Sequence, residues 1–179
     1  MLFRSVMDTV KPERDLNNRE TYSRNWWIFG EPRRELRPAL DNLSRYIATP
    51  RTAKHRLFQF VPVGSISESK LVVIAVDDPW HLAVLSSRLH EHFSLAAGGW
   101  LGVGNDPTYN HPNCFNPFPF PCPTETQKTH LRTLGEQLDA HRKSQQAAHP
   151  KLTLTAMYNV LEMLRAGQRI EGRDKEIYD

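Results

Sequence analysis

Cysteine is nearly missing from this sequence: Cys114 and Cys122 are the two present in 179 residues. Two thiols cannot staple a fold, so the chain is expected to rely on a buried core and to suit a reducing cytoplasm. Long apolar runs are missing too. Nothing approaches the ~20 residues that a membrane-crossing helix needs, so no membrane partner is expected. The opening Met1-Leu-Phe-Arg-Ser-Val brings a charge at once and offers no small-residue cleavage site, which argues against a secretory leader. It also starts mid-pattern, as a piece cut from something longer would. Acidic residues are absent between Asp41 and Glu68, a stretch that holds Arg45, Arg51, Lys54 and Arg56. No internal repeat is visible.

What is present is otherwise ordinary for a globular chain, with 39% hydrophobic and 24% charged residues. The length suits one domain or two small ones and is enough to bury a core. The net charge is only +3, but its distribution is uneven. Residues 1–60 carry twelve Lys and Arg against seven Asp and Glu, residues 61–120 two against five, and residues 121–179 nine against eight. A one-sided basic face fits a polyanion. The cations of the acid-free stretch are set among the β-formers Tyr46, Ile47, Phe58, Phe60, Val61 and Val63, which predicts a pair of strands turning near Pro50 to Ala53. On composition alone a solvated basic strand pair explains this equally well.

In chain order, residues 2–10 read as the end of a helix and Lys11 to Arg19 as a polar connector. Tyr22, Trp26, Trp27 and Phe29 fall within ten residues, a density that usually anchors a core. Pro32, followed by Leu36, Ala39, Leu40 and Leu43, predicts a helix over roughly 32–43. Lys70 to Val76 is an apolar, β-branched run expected as a central strand buried on both sides. Asp78-Pro79 then starts a helix expected to reach Ala97, with Leu82, Leu85, Leu89, Phe93 and Ala96 on one face and Gly98-Gly99 as its stop. Residues 98–123, rich in Gly, Pro and Asn, read as an extended segment lying on a surface. Thr124 and Gln127 make a capping box for a long helix to about Gln146, with a narrow stripe of Leu131, Leu134 and Leu138. Thr153 caps a second helix with Leu154, Met157, Leu161 and Leu164, ended by Gly167. The expected fold is α+β: a small mixed or antiparallel sheet with flanking helices over residues 1–122, then an antiparallel C-terminal helical pair over residues 123–179.

Most candidate chemistry fails on spacing. Gly98-Gly-x-x-Gly-x-Gly104 follows a helix instead of a strand and leads into Pro and Asn, so it cannot aim helix N-terminal amides at a phosphate. Asn116-Pro-Phe-Pro-Phe120 lacks the second proline of the amino-methyltransferase Asn-Pro-Pro-aromatic motif. His111, Cys114 and Cys122 match no common zinc spacing, and His81, His90 and His92 do not share a helix face. No catalytic or metal residue is assigned. The basic strands survive, because Arg, Lys and Gln can bond base edges while neighbouring cations neutralise phosphates. Strand alternation would place Lys54, Arg56 and Phe58 on one face and His55, Leu57 and Gln59 on the other.

Arg24-Asn-Trp-Trp-Ile-Phe-Gly-Glu-Pro-Arg33, Arg45-Tyr-Ile-Ala-Thr49, Lys54-His-Arg56, Gly102-Val-Gly-Asn-Asp-Pro-x-Tyr109 and Phe118-Pro-Phe-Pro121, in that order, resemble the C-terminal part of the MmeI-like class I DNA methyltransferases. These use S-adenosyl-L-methionine and include the Type IIL restriction-modification enzymes. Leu152-Thr-Leu-Thr-x-Met-Tyr-Asn-Val-Leu161 also looks like that family. The resemblance implies a target recognition domain and a helical region that read double-stranded DNA for an adenine-N6 methyltransferase domain outside this sequence. It implies Lys54, His55, Arg56 and Gln59 as base contacts, and with DNA so placed Arg33, Arg34, Arg37, Arg45 and Arg51 are expected to hold phosphates. Asn105 and Tyr109 would add to these. S-adenosyl-L-methionine would belong to the parent enzyme, with no cofactor in this chain. The competing reading is an interaction scaffold that docks Trp26, Trp27 and the helical pair on a neighbouring domain without reading bases.

Overall fold

The computed structural model describes residues 2–28, 34–65, 67–101 and 106–178. They form two compact units, Met1–Asp41 and Asn42–Asp179. The second unit holds both the sheet and the helices that follow residue 123.

The first unit holds four short helices, α1 (Leu2–Thr9), α2 (Lys11–Asp15), α3 (Glu20–Arg24) and α4 (Leu36–Leu40). The Lys11–Arg19 connector contains α2, and the helix expected at 32–43 is shorter, residues 29–33 lying outside the described ones. None of this unit's described side chains is fully buried. The expected aromatic core anchor is a surface cluster instead. Trp26 packs on Phe3 and on Trp27 with ring centroids 6.0 and 5.9 Å apart, and Trp27 stays 56% exposed.

The second unit is built on a three-stranded antiparallel sheet, β1 (Arg45–Pro50), β2 (Gln59–Pro62) and β3 (Leu71–Ile74), in the order β2-β1-β3. The α+β expectation is met. The apolar run is an edge strand, though, and β1 is the central one. Ile47 stands opposite Phe60 on one side and Ile74 on the other, so these three share a face. Leu82 and Leu85 of α5 (Pro79–Leu85) close over that face with Phe58, Tyr109 and Cys114.

The helix expected to run unbroken from Pro79 breaks at Ser86. Ser87 starts α6 (Arg88–Ala97), its hydroxyl accepting from the His90 amide at 3.3 Å. The break resets the helical phase, which leaves Leu89 71% exposed instead of on the apolar face. Beyond α6 the chain forms a hairpin, with Thr108 N–H donating to the Gly99 carbonyl at 2.7 Å, then a π-helical turn at His111–Phe115.

The capping box of Thr124 and Gln127 forms as expected and opens α7 (Glu125–Ala148). Gly135 lets α7 press on the first turn of α5, since any Cβ there would collide with the Pro79 carbonyl. The inward face of α7 is Gly135, Asp139 and Arg142, and Leu134 of the expected stripe is 44% exposed. Thr153 caps α8 (Leu154–Arg165), Gly167 at φ 65° ends it, and α9 (Gly172–Tyr178) follows. No helix among the described residues is long and apolar enough to cross a membrane.

Candidate nucleic-acid interface

Between β1 and β2 the acid-free stretch leaves the sheet. Arg51 donates its amide to the Lys70 carbonyl and accepts the Tyr109 amide, each at 2.7 Å, and Thr52 bridges to Thr108. His55, Arg56, Leu57 and Phe58 are then buried in succession. The alternation expected from Lys54 to Gln59 does not exist, because residues 54–58 belong to no strand.

That geometry sorts the expected site residues. Arg56 is 6% exposed, and its guanidinium donates to the Pro50 carbonyl at 2.7 Å and the Pro107 carbonyl at 2.9 Å. It lies 5.1 Å from the Tyr109 ring, and burial pulls its pKa below the usual arginine value. Arg56 thus ties the end of β1 to Pro107 and has no edge to offer a base. Tyr109 is fully buried with its hydroxyl 2.9 Å from His90 Nε2. Burial raises the Tyr109 pKa, so the phenol stays protonated. His90 is pushed down to about 4 by burial and then by the Arg56 charge, and sits neutral among Phe58, Phe118 and Phe120. Tyr109, expected as a further DNA contact, is a core residue.

Arg45 is also engaged. Its guanidinium pairs with Glu136 of α7 and covers the Phe60 ring at 3.8 Å. The Glu136 hydrogen bond raises the Arg45 pKa, and the same bond lowers that of Glu136. Gln59 stands on β2 opposite Ala48, half-buried. Arg51 is exposed, as are Arg34 and Arg37 in the first unit. Arg33 and Asn105 lie outside the described residues.

Lys54 and His55 meet α8. Lys54 Nζ donates to Asn159 Oδ1 at 2.9 Å and pairs with Glu162 Oε2 at 2.9 Å, while His55 Nε2 donates to the same Asn159 oxygen at 2.8 Å. Lys54, Asn159 and Glu162, with Met163, Ala166, Gln168 and Asp174, line an open cleft of about 480 Å³. Asn159 and Glu162 are not among the residues expected from sequence, because Asn159 meets its partners 105 and 104 residues away. Their spacing of three on a capped helix was the available signal.

Two polar residues of α7 reach the sheet. Asp139 accepts the Phe60 amide at 3.2 Å and Arg142 donates to the Phe58 carbonyl at 2.7 Å, so α7 supplies an acceptor on β2 and a donor to the residue just before it. Arg142 also donates to the Tyr158 hydroxyl of α8. At the other edge, His111 Nε2 donates to the Val73 carbonyl at 3.1 Å. Gly98 closes α6 and Gly99 enters a hairpin, so neither turns helix N-terminal amides toward a nucleotide cofactor. Among the described residues no three His, Cys, Asp or Glu are grouped to hold a metal ion.

This arrangement of sheet, hairpin and helices has a counterpart of known structure. The chain is similar in fold to part of MmeI. That Type IIL restriction-modification enzyme was solved in complex with DNA, and the likeness has a TM-score of 0.66 at 17% identity over 88% of this chain. The chain spans about a fifth of the length of the MmeI chain, covering 20% of it. At that identity MmeI shares the fold. No family model matches the sequence, and no curated protein does.

Proposed function

We propose that the chain is the sequence-recognition part of a DNA adenine-N6 methyltransferase or restriction-modification enzyme, acting in the cytoplasm. It selects duplex DNA for a methyltransferase domain that binds S-adenosyl-L-methionine and lies outside this sequence. The observation that carries the reading is the likeness in fold, over 88% of the chain, to an enzyme solved bound to DNA. The acid-free stretch supports it, with Arg51 and Lys54 exposed at its surface. Lys54, His55 and Gln59 remain the proposed base contacts. Arg51, Arg34 and Arg37 are the proposed phosphate contacts, and Arg33 and Asn105 stay in the proposal from sequence. Arg56 and Tyr109 support this surface from within, and Arg45 through its pair with α7.

Fluorescence anisotropy with labelled duplex DNA tests this. Affinity should be measurable at low salt and fall steeply toward moderate salt, because released counterions dominate such binding. Arg51→Glu with Lys54→Glu should abolish it. Binding that ignores salt, or none at low salt, refutes the proposal. Incubated with DNA and labelled S-adenosyl-L-methionine, the chain alone should transfer no methyl group.

A second reading has its own observation. Phe3, Leu16 and Trp27 of the first unit are 68%, 86% and 56% exposed, as expected of a surface that docks on a protein. The two readings use different residues, and the charge-reversed variant should leave docking intact.

A further inference from the structure

The cleft at α8 carries a hydrogen-bonding pattern that names what it reads, given the DNA-binding reading above. A lysine ammonium has donors and no acceptor, so the Asn159 atom 2.9 Å from Lys54 Nζ is the amide oxygen. His55 donates to that same oxygen. The orientation of Asn159 is thereby fixed, and its Nδ2 group, with two protons, bonds nothing among the described residues. Glu162 lies one helical turn further along the same face of α8. The Lys54 hydrogen bond lowers its pKa, so it remains an ionised carboxylate that only accepts.

Lys54 Nζ is bonded to both side chains, which sets the order along the cleft as donor at Asn159, donor at Lys54, acceptor at Glu162. The lining as a whole holds two carboxylates, Glu162 and Asp174, against one ammonium. That balance repels a phosphate and suits a base edge that offers an amino group. In the major groove a G·C pair presents two adjacent acceptors, guanine N7 and O6, followed by the cytosine N4 donor. An A·T pair places its donor between two acceptors and ends on a methyl group. The cleft complements the first order.

We propose that Asn159, Lys54 and Glu162 read one G·C base pair through the major groove, Asn159 Nδ2 and Lys54 Nζ donating to guanine and Glu162 accepting from cytosine N4. The helical region then determines part of the recognised sequence instead of only supporting the strands.

Selection of the full 179-residue chain on a randomised duplex DNA library tests the assignment. The wild-type chain should enrich a motif containing a fixed G·C pair. Glu162→Gln should lower the preference at that one position by about tenfold while the remaining positions and the melting temperature hold. Asn159→Ala should relax the same position. An unchanged motif in Glu162→Gln overturns the proposal, and so does loss of every position together with a lowered melting temperature. Binding by the wild-type chain without any enriched sequence overturns it while leaving DNA binding in place. Absence of binding at low salt removes both this inference and the reading on which it rests.

Discussion

The rim at α8 and the interior beneath Arg56 use the same chemistry, cations set beside amide, carbonyl and carboxylate oxygens, under opposite exposure. At the rim, Lys54 pairs with Glu162 with more than half of each side chain in water, and the pair can be exchanged for a ligand at little cost. Two residues further on, Arg56 is closed over two carbonyls, the Pro107 one buried and the Pro50 one half-buried. The difference lies in what is lost on removal. A surface ion pair contributes little to folding because water replaces either partner. A buried donor contributes through the acceptors it would leave unsatisfied. Proximity in sequence to other cations therefore says little about whether a given cation is available to DNA.

Three measurements would break or sharpen this contrast. The largest effect is expected from Arg56→Met, which strands the Pro50 and Pro107 carbonyls. It should cost on the order of 1–3 kcal/mol per acceptor in urea unfolding. A variant that unfolds like the wild type but loses DNA affinity would move Arg56 to the rim. A smaller effect is expected from pH. The folded chain holds His90 neutral down to about 4, whereas an unfolded histidine titrates near 6.5. As pH falls between those values the unfolded chain takes up a proton that the folded one refuses, so stability should decline across that window and flatten below it with respect to this group. His90→Gln should remove this group's part of the slope, leaving that of His81, whose pKa burial also lowers. The smallest effect is expected at the rim, where Lys54→Ala should change stability by no more than about 0.5 kcal/mol. A larger loss would show that the cleft is part of the core.

What could be read from the sequence follows the same division. The Asp78-Pro79 start, the Thr124/Gln127 capping box and the Gly167 stop were legible because each is completed within a few residues of chain. The antiparallel α+β sheet was legible from its β-branched runs, although the rank of its strands was not, since pairing order depends on contacts far apart in sequence. The roles of Arg56, Asp139 and Arg142 were not legible for that reason: their partners are 51, 79 and 84 residues away. The Ser86–Ser87 break was missed because the apolar spacing on either side mimics one continuous helix. At the candidate site, Lys54 and His55 were expected from the resemblance, within the acid-free stretch. Asn159 and Glu162 were not, because a polar helix face gives no local sign of the loop that docks on it.

The side chains bonded along the two outer strands have a consequence for how the chain behaves when concentrated. A bare strand edge is a template on which a second molecule can add its own strand. With Asp139 bonded to β2, Arg142 to the residue just before it and His111 to β3, both templates are partly occupied from within. Self-association through the β2 edge must first lift α7 away, so the helix that carries Gly135 also guards the chain against polymerising.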